Sequence, residues 1–206
     1  AAWIRFAQLR AWLMNQAKVS VLQHAVIDAK VIHNGIDTGI FTPANRNRSR
    51  QRLNLPTDAS ILMFVAAHNV KNHPYKNYHT ISEALHILER KAELKKPLLL
   101  LSLGQVGKTE KRGNIERRFL PYIKDRQEMA AIYQSADLYV HAAKADVFPN
   151  SILEALACGT PVVATGVGGI PEQIENSKNG MITKPADPVE MAEAIAYLLD
   201  NDLIRN

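Results

Sequence analysis

ADVFPNSILEALACGTPVVATGVGGIP, running from Ala145 to Pro171, is the stretch that decides the fold. It sets an acidic residue before a helix, a second acid inside that helix, a Gly-Thr-Pro stop, a β-rich run and a glycine loop. Proline suits a first helical turn and asparagine is a favoured cap, so the helix is predicted to begin near Pro149 or Asn150. Its first backbone N–H groups then point outward at the positive end of the helix dipole, which attracts anions. Asp146 lies just before that end, and Glu154, eight positions on, lies about one turn inside it. Carboxylates beside a phosphate-binding terminus fit a ligand whose sugar hydroxyls donate to them. Ala155, Ala157 and Gly159 allow close approach to a sheet, while Ile152, Leu153 and Leu156 supply the core face. The same spacing is met by an ordinary buried helix with a solvated aspartate at its start.

Strands and helices alternate on both sides of this stretch. Ile61 to Ala67 is a continuous apolar run of the kind a buried parallel strand shows. A basic, proline-broken loop, His68 to Lys76, follows it, and then an amphipathic helix from Asn77 to Arg90. A strand, a basic loop and a helix in that order is how α/β folds hold phosphate. Leu98 to Leu103 and Ile115 to Leu120 are further strands, separated by a loop from Gly104 to Gly113. Gly107-Lys108-Thr109 invites a P-loop reading, but the position where that pattern needs its first glycine is Ser102, so the reading fails. Asp125 to Glu128 and Asp187 to Glu190 have capping-box spacing and open helices. Between those helices come strands Asp137 to Ala142 and Pro161 to Thr165, a Gly166 to Gly169 loop open to close ligand approach, and a short edge strand, Gly180 to Thr183. His141 reads as a strand histidine. The predicted fold class is α/β, a Rossmann-like doubly wound parallel sheet.

A chain of 206 residues, 47% hydrophobic, builds one sizeable domain with appendages. No apolar run reaches the ~20 residues of a membrane-spanning helix, and the start lacks the order of a secretory signal. A cytoplasmic setting is expected. One cysteine, Cys158, excludes a disulfide framework and a cysteine-based metal site. The formal charge is +5. Its basic residues are scattered with little aromatic interleaving, which fits a small phosphorylated ligand or anionic headgroups better than nucleic acid.

The Asp146 to Gly169 run resembles the signature of glycosyltransferase family 4, retaining sugar transferases built as two Rossmann-like domains (GT-B). The elements that match are Asp146, Glu154, Ala155 to Gly159, Pro161 to Thr165, and Gly168 with Gly169. One departure is Asp146 itself, where the family usually carries Glu, so the reach to the sugar is one methylene shorter. The resemblance implies that this chain is the nucleotide-sugar half, with residues 35–206 forming the donor-binding domain. Residues 1–34 would be the tail of an acceptor-binding domain plus linker, the rest of that domain lying outside this chain. Asn34 to Asp37 and Phe41 with Pro43 resemble the family's hinge, where His33 and Asp37 are expected to fix a turn.

The roles implied are specific. Glu154 would accept from the ribose hydroxyls of a UDP- or GDP-type donor, and Asp146 would meet the donor sugar. The helix start, Phe148, Pro149, Asn150 and Ser151, would hold phosphate beside Lys76, making Asp146 and Lys76 the catalytic pair. Tyr122 and Ile123 stand where relatives hold the nucleobase, and Gly168 and Gly169 would line the donor site. The family's phosphate-binding Arg has no counterpart here, with Asn69 and Lys71 as the candidates to replace it. No cofactor or metal is expected, and no protein nucleophile is assigned. A non-catalytic nucleotide-binding or scaffold module stays open as an alternative, as do, more distantly, a two-domain epimerase or phosphorylase. Residues Ala1 to Gln23 read as helical, with Trp3 and Trp12 beside arginines leaving peripheral membrane contact open.

Overall fold

The computed structural model describes residues 4–8, 11–21, 24, 26–32, 34–66, 70–91 and 94–201. Along the chain come β1 (Ile4–Gln8), α1 (Ala11–Lys18), β2 (Val26–Val31), α2 (Arg46–Arg52), β3 (Ser60–Val65) and α3 (Tyr78–Arg90). Then follow β4 (Leu98–Leu103), β5 (Glu110–Arg112), β6 (Ile115–Leu120), α4 (Arg126–Ser135) and β7 (Leu138–His141). The last elements are α5 (Asn150–Ala157), β8 (Val162–Thr165), β9 (Gly180–Thr183) and α6 (Pro188–Asp200).

The main sheet has the order β5-β6-β4-β3-β7-β8-β9. From β6 to β9 every pairing is parallel, which is the expected Rossmann-like doubly wound sheet. β3 begins the sheet, β4 and β6 extend it to one side, and β7, β8 and β9 extend it to the other. Winding therefore reverses between β3 and β7, where only Leu62 faces Leu138 and Met63 faces Tyr139 in register. At such a switch point the connections leave in opposite directions, and a crevice opens beyond the carboxyl ends of the strands.

Both faces of the sheet are covered, as continuous apolar strands require. Leu62 and Phe64 of β3 face Ile81, Leu85 and Leu88 of α3 and Ile195 of α6. Ile61 and Met63 face the opposite layer, with Tyr133 of α4 and Ile152 of α5. Asp125 caps α4 by accepting from Glu128 N at 2.7 Å. Asp187 caps α6, but Glu190 turns to Lys184 N at 3.0 Å instead of closing the reciprocal half of a capping box. Among the described residues no helix is long and apolar enough to cross a membrane.

Four expectations are corrected. Residues 1–23 are not one helix: Ile4–Gln8 is a strand in a two-stranded parallel sheet with Val26–Val31. Its short apolar run satisfies helix and strand alike, and pairing with a distant partner decides it. Second, the loop from Gly104 to Gly113 contains β5, which returns antiparallel along β6, so the sheet carries one antiparallel edge strand. Third, the expected strand from Asp137 to Ala142 forms only over Leu138–His141.

Fourth, the run Arg46 to Asn54, which by its polar sequence reads as a surface connection with a short helix, is more than that. Arg50 in α2 is buried, and its Nη2 donates to Asp137 Oδ2 at 2.6 Å. The same oxygen accepts from Ile61 N at 2.7 Å, and Arg50 also donates to the carbonyls of Ser135 and Ala59. This pair ties α2 to the amino ends of β3 and β7. Removing one member of a buried pair leaves the other uncompensated, at a cost of about 3–5 kcal/mol, whereas replacing both by apolar groups costs far less. Urea denaturation is expected to show Asp137→Ala losing about that much, and the joint change R50M/D137L losing clearly less.

Candidate donor-binding site

The two loops that bound the crevice after β3 and β7 deliver the central charges. Lys76 ends the first loop and Asp146 lies in the second. Lys76 Nζ donates to Asp146 Oδ2 at 2.9 Å, with both side chains about one-fifth exposed. Behind them, His73 Nδ1 accepts from Tyr75 N and Lys76 N at 3.2 and 3.3 Å, and Lys144 N donates to Tyr75 O at 2.7 Å. These bonds fix one loop against the other. Asn77, next to Lys76, is in the left-handed region with φ 49°, which turns the chain sharply into α3.

α5 starts at Asn150 with Pro149 in the cap position, the reverse of the roles a proline at the first helical position and an asparagine cap would give. No side chain caps this end, so its positive pole is left to other groups. Phe148 is buried. Asn150 Oδ1 accepts from Asn34 Nδ2 at 2.7 Å, and Ser151 Oγ lies 2.9 Å from Tyr139 Oη. That tyrosine oxygen is also 3.0 Å from His141 Nδ1. On its other side, His141 Nε2 stands 3.3 Å from Asp146 Oδ2, within ion-pair distance but not aligned as a full hydrogen bond.

Burial alone would raise the Asp146 carboxyl, but His141 and Lys76 beside it outweigh that and hold it at about 2. Burial drives His141 the other way, below its ordinary range, against the pull of Asp146, so the imidazole is neutral at pH 7. Glu154 Oε2 accepts from Tyr133 Oη at 3.0 Å. Burial raises the Glu154 carboxyl above its ordinary value, offset in part by that hydrogen bond and by Arg126. Burial also pushes the Cys158 thiol up to about 12, which makes it unreactive.

Two cavities flank the α5 start. One of about 210 Å³ is lined by Glu154, Ser151, Tyr122, Ile123, Phe41 and Leu103. The other, about 380 Å³, lies on the far side of Asp146 against Trp12, Tyr75, Val147 and Gly168. A larger cavity, about 560 Å³ beside Arg46, Lys96 and Asp137, sits at the amino ends of the strands, away from both carboxylates. Among the described residues no cluster of three or more His, Cys, Asp or Glu side chains is placed to hold a metal ion.

The site thus gathers Lys76, Asp146, Phe148, Pro149, Asn150, Ser151, Glu154, Tyr122 and Ile123. It does not gather Lys71, whose Nζ pairs with Glu110 at 2.5 Å and lies 4.9 Å from the Phe119 ring centroid. Asn69 lies outside the described residues, as does His33. Asp37 does fix its turn, accepting from Gly39 N at 3.1 Å. Gly168 lines the cavity of about 380 Å³, whereas Gly169 is buried. A Cβ on Gly168, at φ 55°, would fall 1.9 Å from Asp146 O, and Gly169 N donates to Val147 O at 2.9 Å. The glycine pair therefore shapes the Asp146 loop. The Glu172 carboxylate accepts from Ala11 N and Trp12 N at 3.3 and 2.7 Å, capping α1. Sequence reasoning missed Tyr133 and Tyr139. Only Tyr139 left a signal, since residues two apart on a strand share a face with His141.

Residues 45–206 match the family model described as glycosyl transferases group 1. The chain belongs to that family. Curated relatives include the D-inositol 3-phosphate glycosyltransferase of Mycolicibacterium smegmatis, 30% identical over 184 residues that cover 84% of this chain and 40% of that protein. One from Catenulispora acidiphila is 30% identical over 183 residues, covering 82% of this chain and 43% of that protein. The chain thus spans less than half the length of these relatives. Among solved structures, sucrose-phosphate synthase from Thermosynechococcus elongatus superposes with TM-score 0.74 at 22% identity, over 97% of this chain and 50% of that one. Anabaena HepE in complex with UDP and glucose superposes with TM-score 0.69 at 19% identity, over 97% and 54%. These structural likenesses show the fold, an α/β Rossmann-like fold matching GT-B glycosyltransferase structures.

The raised carboxyl of Glu154 gives this group 1 glycosyltransferase chain a testable cost. An acid raised on folding opposes the fold once ionised, so the penalty is present above its folded value and relieved as pH falls through it. Glu154→Gln is expected to raise the melting temperature of the ligand-free protein at pH 7, and that gain is expected to shrink as the pH is lowered, both read by scanning calorimetry.

Proposed function

We propose that the chain is the donor-binding half of a retaining family 4 glycosyltransferase, taking a UDP- or GDP-type nucleotide sugar and passing its sugar to a hydroxyl acceptor. One observation carries this reading: Asp146 and Glu154 flank an uncapped helix start at the switch-point crevice, with Lys76 beside it. The nucleoside enters the cavity beside Tyr122 and Ile123, where Glu154 accepts from the ribose hydroxyls. The diphosphate meets the α5 start, and the donor sugar extends past Asp146 toward Trp12 and Val147. In this reading residues 35–206 form the donor domain, and residues 1–34 belong to the acceptor side and the linker. The acceptor site itself lies on the rest of the complete protein, and glycan or polysaccharide assembly at the cytoplasmic face of a membrane is its setting.

Departure of a nucleoside diphosphate places negative charge on the leaving phosphate, and fixed donors that await it lower the barrier. An ammonium has three donors, so Lys76 can keep one on Asp146 and turn the others to phosphate. Asp146 stays ionised through the whole working range and can accept from the sugar. The UDP and UDP-glucose complexes of HepE are consistent with such a donor. The engagement of Lys71 with Glu110 favours the alternative, a nucleotide-binding module without transfer, because it removes a second cation from the phosphate side.

Calorimetry with uridine and guanosine diphosphates tests the reading. Binding of one of them is expected, and Glu154→Ala is expected to weaken it about tenfold or more, as loss of a charged hydrogen bond does. Asp146→Ala is expected to weaken the matching nucleotide sugar and leave the bare diphosphate nearly unchanged. No binding of either diphosphate by the folded protein would contradict it.

A further inference from the structure

We propose that His141 is a positioning residue, a neutral imidazole that is supported by Tyr139 and Ser151 and orients Asp146 toward the donor sugar. This rests on the donor-site reading above and adds a device to it. His141 is fully buried at the end of β7, and its two ring nitrogens face different partners. Nδ1 is 3.0 Å from Tyr139 Oη, and Nε2 is 3.3 Å from Asp146 Oδ2. A neutral imidazole carries one proton. Facing a carboxylate, that proton belongs on Nε2, which leaves Nδ1 to accept. Tyr139 Oη lies 2.9 Å from Ser151 Oγ in an arrangement where Tyr139 donates to Ser151; rotating both hydroxyls puts the single Tyr139 hydrogen on Nδ1 and lets Ser151 donate to Tyr139. Each group has one role, and the direction runs from Ser151 through Tyr139 and His141 to Asp146.

The consequence concerns which carboxylate oxygen is occupied. Lys76 Nζ and His141 Nε2 both approach Oδ2, at 2.9 and 3.3 Å. Among the described residues no donor is placed on Oδ1. The Lys76 hydrogen bond holds Oδ2, and Nε2, close by but not aligned as a full hydrogen bond in the ligand-free protein, limits its rotation from the other side, so that Oδ1 is presented to the ligand as an acceptor. Aspartate is one methylene shorter than glutamate, so its placement depends more on such support. The chain of contacts begins at Ser151, in the first turn of α5. The phosphate-binding end and the sugar-binding carboxylate are thereby joined through three side chains. The 3.3 Å separation is loose, and such bonds tighten when substrate is bound.

The test compares binding of a nucleoside diphosphate with binding of the corresponding nucleotide sugar, using the complete protein and calorimetry. Gln places an N–H where Nε2 stands, whereas Asn reproduces only the Nδ1 side. His141→Leu is expected to weaken the nucleotide sugar about tenfold while leaving the diphosphate within about twofold. His141→Gln is expected to recover most of the loss, and His141→Asn is not. In case the leucine variant does not fold, Tyr139→Phe removes a single hydroxyl, and long-range proton–nitrogen NMR reads the imidazole directly. The wild-type ring is expected to carry its proton on Nε2, and Tyr139→Phe to mix the tautomers and weaken nucleotide-sugar binding severalfold. A wild-type ring protonated on Nδ1, equal behaviour of the Gln and Asn variants, or unchanged sugar recognition in both His141→Leu and Tyr139→Phe would overturn the proposal while leaving the donor site standing. Failure of the wild-type protein to bind either nucleotide would overturn both.

Discussion

The structure depends on the parting of β3 and β7. These strands are adjacent and parallel, yet their following connections leave to opposite sides, so the space beyond their carboxyl ends is not filled by either. Apart from Glu154, which lies on α5, the ionisable groups at the centre of the site reach this gap from strand ends. Lys76 comes from the loop after β3, and His141 and Asp146 come from β7 and the loop after it. Asp137, at the other end of β7, anchors the same strand to Arg50 and to Ile61 of β3. One end of the strand pair is locked by a buried ion pair, and the other opens onto the crevice.

Charge at the open end is poised by burial and by neighbours working against each other. Asp146 is kept ionised by Lys76 and His141 despite desolvation, while Glu154, with a tyrosine hydroxyl as its main partner, is raised. Two carboxylates eight residues apart therefore have different characters. Asp146 is a permanent anion beside a cation, and Glu154 is an acid whose burial is tolerated at some cost to the fold. A site that holds such a cost in the absence of ligand has hydroxyl donors as its natural complement.

Much of this was legible in the sequence. The apolar run of Ile61 to Ala67, the caps at Asp125 and Asp187 and the small-residue helix after Asp146 each obey a local rule, and local rules suffice for element type and order. The strand at Ile4–Gln8 was not legible, because its partner lies about twenty residues away and pairing carries no local mark. Arg50 looked like one more solvated arginine in a polar run, since burial of a charge is decided by a partner 87 positions distant. The partners of Glu172 and Gly168 were hidden for a related reason. The Glu172 carboxylate accepts from the backbone of the distant α1, and the absence of a side chain at Gly168 makes room for the Asp146 carbonyl, neither of which leaves a local mark.

The division of labour along the crevice is the central claim, with the nucleoside at Glu154, phosphate at the α5 start and sugar at Asp146. Intermolecular nuclear Overhauser effects from a bound nucleotide sugar to methyl-labelled protein test it most directly. The account predicts contacts from the nucleobase to Ile123 and from the hexose to Val147. Nucleobase contacts to Val147, or a ligand resting beside Arg46 and Lys96 at the opposite end of the sheet, would contradict it.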